Sequence, residues 1–109
     1  MNPFVIRAVA FQEDGMWVAR CIDYNFASCA ETLDELADEL LRQVLDQIEA
    51  DRDAGQEPFF GYKAAPKKYW DMFAAAEAVS RPIENRKRLP QRDPRQPAKV
   101  ETQLIPVAA

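Results

Sequence analysis

Alternation of apolar and polar positions dominates the start of the chain. Across residues 4–11, Phe4, Ile6, Ala8 and Ala10 make one face, apolar throughout, as expected where a helix covers it. The other face carries Arg7 but also Val5, Val9 and Phe11, which predicts partial cover there too. In residues 16–22, Trp17, Ala19 and Cys21 alternate with Met16, Val18, Arg20 and Ile22. Glu13-Asp14-Gly15 separates the two runs, and Gly15 supplies the positive φ that a tight hairpin corner needs. A corner through Asp23, Tyr24 and Asn25 leads to residues 26–30. A hairpin alone is marginal in water, so this run is expected to add a third strand.

The period then changes from two to 3.6. Leu33, Leu36, Ala37, Leu40, Leu41, Val44, Leu45 and Ile48 form one stripe, while Asp34, Glu35, Asp38, Glu39, Asp46 and Glu49 fall off it. Thr32 and Glu35 form the S/T-x-x-E pattern of a capping box, and Gly55 is the natural stop. Such a helix is about 33 Å long at about 1.5 Å per residue, enough to cross a small sheet.

Beyond Gly55 the signals are shorter. Phe59-Phe60-Gly61-Tyr62 reads as a short strand or an aromatic plug. Pro66 suits the first position of a second helix reaching about residue 79, with Tyr69, Trp70, Met72, Phe73 and Ala76 as its apolar face and Pro82 past its end. Pro90, Pro94 and Pro97 punctuate a charged stretch unable to bury enough surface to fold alone. Residues 100–107 form a last apolar piece, for which Pro106 favours a sheet edge. The pattern therefore predicts an α+β fold. Its β-β-β-α core is an antiparallel three-stranded sheet covered by one long helix, followed by a second, shorter helix. Residues 1–80 form the domain, and 81–109 form a basic, Pro-rich tail with an edge strand at 100–107.

Composition narrows the chemistry. At 109 residues the chain suits one domain with a real core. No apolar run approaches the roughly 20 residues of a membrane span. Met1-Asn2-Pro3-Phe4 lacks the pattern of a secretory signal, which leads to an expected cytoplasmic location. There is no histidine, so the commonest general base near neutral pH is missing, and with it any Ser-His or Cys-His pair. Cys21 and Cys29 are too few for a zinc site within one chain; they read as free thiols behaving as small apolar residues. No cofactor is expected.

Charge is segregated behind a net −4. Acids dominate residues 31–57, opposed only by Arg42 and Arg52. Between residues 81 and 99 the balance reverses, with Arg86, Lys87, Arg88, Arg92, Arg95 and Lys99 against Glu84 and Asp93.

The residues Phe11-Gln12-Glu13-Asp14-Gly15-Met16-Trp17-Val18-Ala19-Arg20-Cys21-Ile22-Asp23, followed by Ala30-Glu31-Thr32-Leu33-Asp34-Glu35-Leu36, resemble the HicB-type antitoxin-like family. The resemblance covers residues 4–50. It implies a β-β-β-α core of the partial ribonuclease H-like kind, usually dimeric, whose antitoxin members bind a small messenger-cleaving toxin. The chain departs from the family at Asp23-Tyr24-Asn25-Phe26, which lacks the usual Pro and Gly, and at Leu36, where a small Ala is usual. It also lacks a recognisable helix-turn-helix or ribbon-helix-helix module. It reads as a stand-alone relative.

Three functional readings follow. The leading one is a non-catalytic, homodimeric protein-binding domain, antitoxin-type or a stand-alone regulator, meeting a small basic toxin-like protein through Asp34, Asp38, Trp17 and Trp70. A solvated helix face and core packing are the plainer explanations of the same residues. The alternative is non-specific nucleic-acid binding through Arg86, Lys87, Arg88, Arg92 and Arg95. Five phosphate contacts would give a log–log salt slope of roughly −4 to −5. A metal-dependent nuclease built from Asp14, Asp23 and the helix acids ranks third, because turns and helix starts favour acids for their own structural reasons.

Overall fold

In the computed structural model, which describes residues 3–90 and 96–107, the chain forms a five-stranded mixed sheet with helices on both faces. The elements are β1 (Phe4–Glu13), β2 (Met16–Cys21), β3 (Ala27–Ala30), α1 (Leu33–Asp53), α2 (Lys67–Glu77), β4 (Ile83–Arg88) and β5 (Lys99–Pro106). The strand order is β3-β2-β1-β5-β4; β5 runs parallel to β1, and the other neighbours are antiparallel.

The β1–β2 hairpin closes through Asp14 and Gly15 at φ 52° and 78°. Two left-handed residues in a two-residue loop match the right-handed twist of the strands, and Asp-Gly is among the pairs that tolerate it. Thr32 accepts a hydrogen bond from the Glu35 N–H at 3.1 Å and starts α1. At the other end Gly55 has φ 72°, its N–H bonds the Arg52 carbonyl, and the Gln56 N–H bonds the Asp51 carbonyl. This reciprocal pair satisfies carbonyls that the helix leaves open.

The α1 stripe Leu36, Leu40, Val44 and Ile48 packs on Ile6, Ala8, Ala10, Ala19, Cys21, Val100 and Leu104. Small residues in the central strands allow the long helix to lie close. On the opposite face Phe73 and Ala76 of α2 pack on Val9, Ile22 and Ile105. β1 is therefore buried from both sides, as Val9 and Phe11 implied. The chain passes between layers at the corner after β2. There Asn25 N–H meets the Lys63 carbonyl at 2.6 Å, and Ala65 N–H meets the Ile22 carbonyl at 3.0 Å.

Two expectations need correction. The sheet has five strands and is mixed, rather than three and antiparallel, and α1 is not the only helix covering it. The C-terminal segment is no tail with an edge strand: β4 and β5 both belong to the sheet, and β5 is interior. Val100, Thr102 and Leu104 are buried, so this strand contributes core that β1 and β2 alone lack. Pro106 is accommodated because β4 stops at Ile83, which pairs with Leu104. Val107 N–H points to Ala10 of β1, so the Pro106 nitrogen faces the side where no strand remains to receive a bond. One sheet thus joins strands from both sides of residue 80.

Candidate protein-binding site

The sheet has two open edges, and their charges are opposite. β3 forms one edge. Cys21 N–H bonds the Phe26 carbonyl, so Phe26, Ser28 and Ala30 turn their backbone groups toward β2, and Ala27 and Cys29 turn theirs outward. Gln43 of α1 reaches over this edge to the Ala27 carbonyl at 3.4 Å and also bonds the Ser28 hydroxyl. Along the rim, Met16, Cys29 and Ala30 floor a shallow hollow walled by Glu31, Glu35 and Asp38.

Asp34 and Asp38 are exposed and lie one helical turn apart. Farther along, Arg42 is shared between Glu39 and Asp46, and Arg52 between Glu49 and Asp53. Neither Asp34 nor Asp38 has a basic partner among the described residues. Around Asp34 and Asp38, α1 therefore presents an acidic surface that no ion pair among the described residues neutralises.

The two tryptophans do not complete that surface. Trp17 is half-buried against the α1 core, whereas Trp70 lies on the opposite face of the sheet. Trp70 serves to dock α2. Its indole N–H donates to the Ala65 carbonyl at 3.2 Å, and the Arg7 guanidinium stacks 5.0 Å from its ring centroid. Asp34, Asp38, Trp17 and Trp70 consequently do not form one patch. Sequence spacing cannot show which face of the sheet a second helix will cover.

Asp23 is also structural in its contacts. Its carboxylate accepts from the Arg7 backbone N–H at 2.8 Å and from the guanidinium at 2.7 Å. That hydrogen bond, reinforced by the charge of Asp23, holds the Arg7 guanidinium above its ordinary pKa against the opposing effect of burial. Asp14 sits exposed in the hairpin turn. Among the described residues, no three His, Cys, Asp or Glu side chains are grouped so as to hold a metal ion.

Beside this end of the sheet lies an aromatic stack that the sequence left undecided between strand and plug. Phe59 is the plug: buried, it stacks on Phe4, Tyr24 and Phe26, with the Tyr24 ring centroid 4.8 Å away. Burial among these rings pushes the Tyr24 hydroxyl pKa up. Phe59 has φ 61°, an unfavourable conformation for a bulky residue, and its N–H donates to the buried Asp51 carboxylate at 2.7 Å. Asp51 also accepts from Gln47 at 3.0 Å. The next residue, Phe60, is thereby held out in solvent at 65% exposure. Neither the Asp51 anchor nor the exposed Phe60 was marked by any sequence period, since both depend on the path of an irregular loop.

β4 forms the other edge, and there the basic residues are dispersed by strand geometry. Arg86 and Arg88 project to one face and Lys87 to the other. Arg86 pairs with Glu101 at 2.5 Å and Glu84 at 3.0 Å. Hydrogen bonding to Arg86 first, and to Gln103 next, holds the Glu101 carboxyl below the ordinary carboxylate range. Lys99, absent from the sequence-derived set of phosphate contacts, stands opposite Arg88 in the β4–β5 register. Arg92 and Arg95 lie outside the described residues.

No described helix is long and apolar enough to cross a membrane. Comparison with protein-family models, with curated proteins and with solved structures finds no match to this chain.

Proposed function

We propose that this chain is a non-catalytic protein-binding domain, of the HicB-like antitoxin type or a stand-alone regulator related to it. It acts as a homodimer in the cytoplasm and receives a small basic, RNA-cleaving protein on the acidic half of α1. The β-β-β-α order of the first half supports the likeness. The observation that carries the binding role is the pair Asp34 and Asp38, exposed one helical turn apart, with Asp38 lining the hollow beside the β3 edge and neither having a basic partner among the described residues. Such a surface complements a positive RNA-binding groove, and long-range attraction between the two would speed their encounter.

The test is direct binding between the purified chain and a small basic RNA-cleaving protein encoded beside it, with RNA cleavage as the second readout. Binding with inhibition is expected. The double substitution Asp34→Lys, Asp38→Lys should slow association about tenfold at low salt, with the difference shrinking as salt screens the charges. Absence of binding, or association unaffected by both substitutions, would refute the reading. Light scattering on the same sample measures the dimer.

A further inference from the structure

We propose a phosphate-binding site at the corner where β4 ends and β5 begins, with Arg88 and Lys99 as its two ligating side chains. These residues are register partners on adjacent antiparallel strands. The neighbouring pair is hydrogen-bonded, through Leu89 N–H and the Ala98 carbonyl, so Arg88 and Lys99 occupy the non-hydrogen-bonded position. There the two Cα atoms approach to roughly 4.5 Å and the side chains leave the sheet side by side. Like charges placed directly opposite each other destabilise a ladder. Neither residue has an acidic partner among the described residues, so the repulsion is unrelieved within that part of the chain.

The surroundings favour an anion. Arg88 and Lys99 lie on the same face of the sheet as α2, but α2 packs around Val9 and Ile22 and, on β5, around Ile105 near the end of that strand opposite Lys99. The corner is left open as a cavity of about 360 Å³, bordered besides by Pro3, Lys87, Val100 and the ion-paired Arg86 and Glu101. Glu101 is engaged by Arg86 and Gln103, so no acid among the described residues pairs with Arg88 or Lys99. A phosphate oxygen set between a guanidinium and an ammonium would convert their repulsion into two charge-assisted hydrogen bonds. The ligand is a phosphate group, either free or in a nucleic-acid backbone.

Thermal unfolding in sodium phosphate and in sodium chloride of equal ionic strength, together with anisotropy of a labelled single-stranded oligonucleotide, tests this site. The wild type should melt higher in phosphate, bind the oligonucleotide, or do both. The first result alone identifies a free phosphate ligand and the second alone a nucleic-acid backbone. With two contacts, the log–log salt slope for the oligonucleotide should be roughly −1.5. Arg88→Gln combined with Lys99→Gln should remove the phosphate increment and weaken oligonucleotide binding about tenfold. That variant should melt in chloride at or above the wild type, because a repulsive pair is gone; loss of binding with intact stability excludes misfolding. Lys63→Gln, exposed in the loop before α2 and outside this cavity, should bind as the wild type does. Equal midpoints in the two salts with no oligonucleotide binding would overturn the proposal. So would binding unchanged in the double variant, or equally weakened by Lys63→Gln.

Discussion

Replacing Asp51 with Ala should release the loop that follows α1. The carboxylate is 6% exposed and holds the Phe59 N–H at 2.7 Å, while Phe59 sits at φ 61°. A left-handed backbone costs a non-glycine residue about 1–2 kcal/mol, and a hydrogen bond to a charged group contributes about 1.5–3 kcal/mol. The substitution leaves that strain unopposed and the buried N–H unsatisfied, offset in part by no longer burying a carboxylate. The expected loss is about 3 kcal/mol. At roughly 2 cal/mol/K of unfolding entropy per residue, that lowers the melting midpoint of a domain this size by about 13 °C. Asp51→Asn retains an acceptor oxygen and should recover about half of the loss. Calorimetry gives the midpoint, and amide hydrogen exchange at Phe59 separates local release from global unfolding. A shift below about 3 °C with Phe59 protection unchanged would refute the claim that Asp51 fixes the loop.

Trp70→Ala removes both the Arg7 stacking and the hydrogen bond to Ala65, and should cost about 2 kcal/mol, seen as an earlier denaturant midpoint. Cys29 is exposed, whereas Cys21 is buried and its thiol pKa is raised, chiefly by desolvation. A thiol reagent should therefore label one cysteine in the native protein and both after denaturation. Glu101 has its folded pKa lowered by Arg86, so the stability it adds is present above the ordinary glutamate pKa and is lost as pH falls through the folded value. Acid unfolding of Glu101→Gln should accordingly show a weaker dependence on pH than the wild type; identical pH profiles would contradict this coupling.

The local elements are legible in the amino-acid order, because hairpin, cap and helix stripe depend on residues near one another along the chain. Asp14-Gly15 sets the turn, Thr32 starts α1 and Gly55 ends it, each through backbone geometry within a few positions. The alternation in residues 4–11 also signalled correctly that β1 would be covered on both sides. Strand order was beyond the reach of such patterns. An alternating run such as that around Val100, Thr102 and Leu104 shows which side chains face inward but not which strand lies alongside, and a proline near its end points by itself to an edge. Only the packed sheet placed β5 against β1, with Pro106 beyond the reach of β4.

The same distinction governs the candidate sites. Charge segregation is a property of the sequence, and Asp34 and Asp38 on one exposed helix face follow from helical period alone. Pairing Arg88 with Lys99, sending Trp70 to the far face and fixing Phe59 on Asp51 required contacts between residues distant in sequence or joined by irregular backbone. Local periodicity carries no information about such contacts; they are set when the two helices and five strands find one mutually compatible packing.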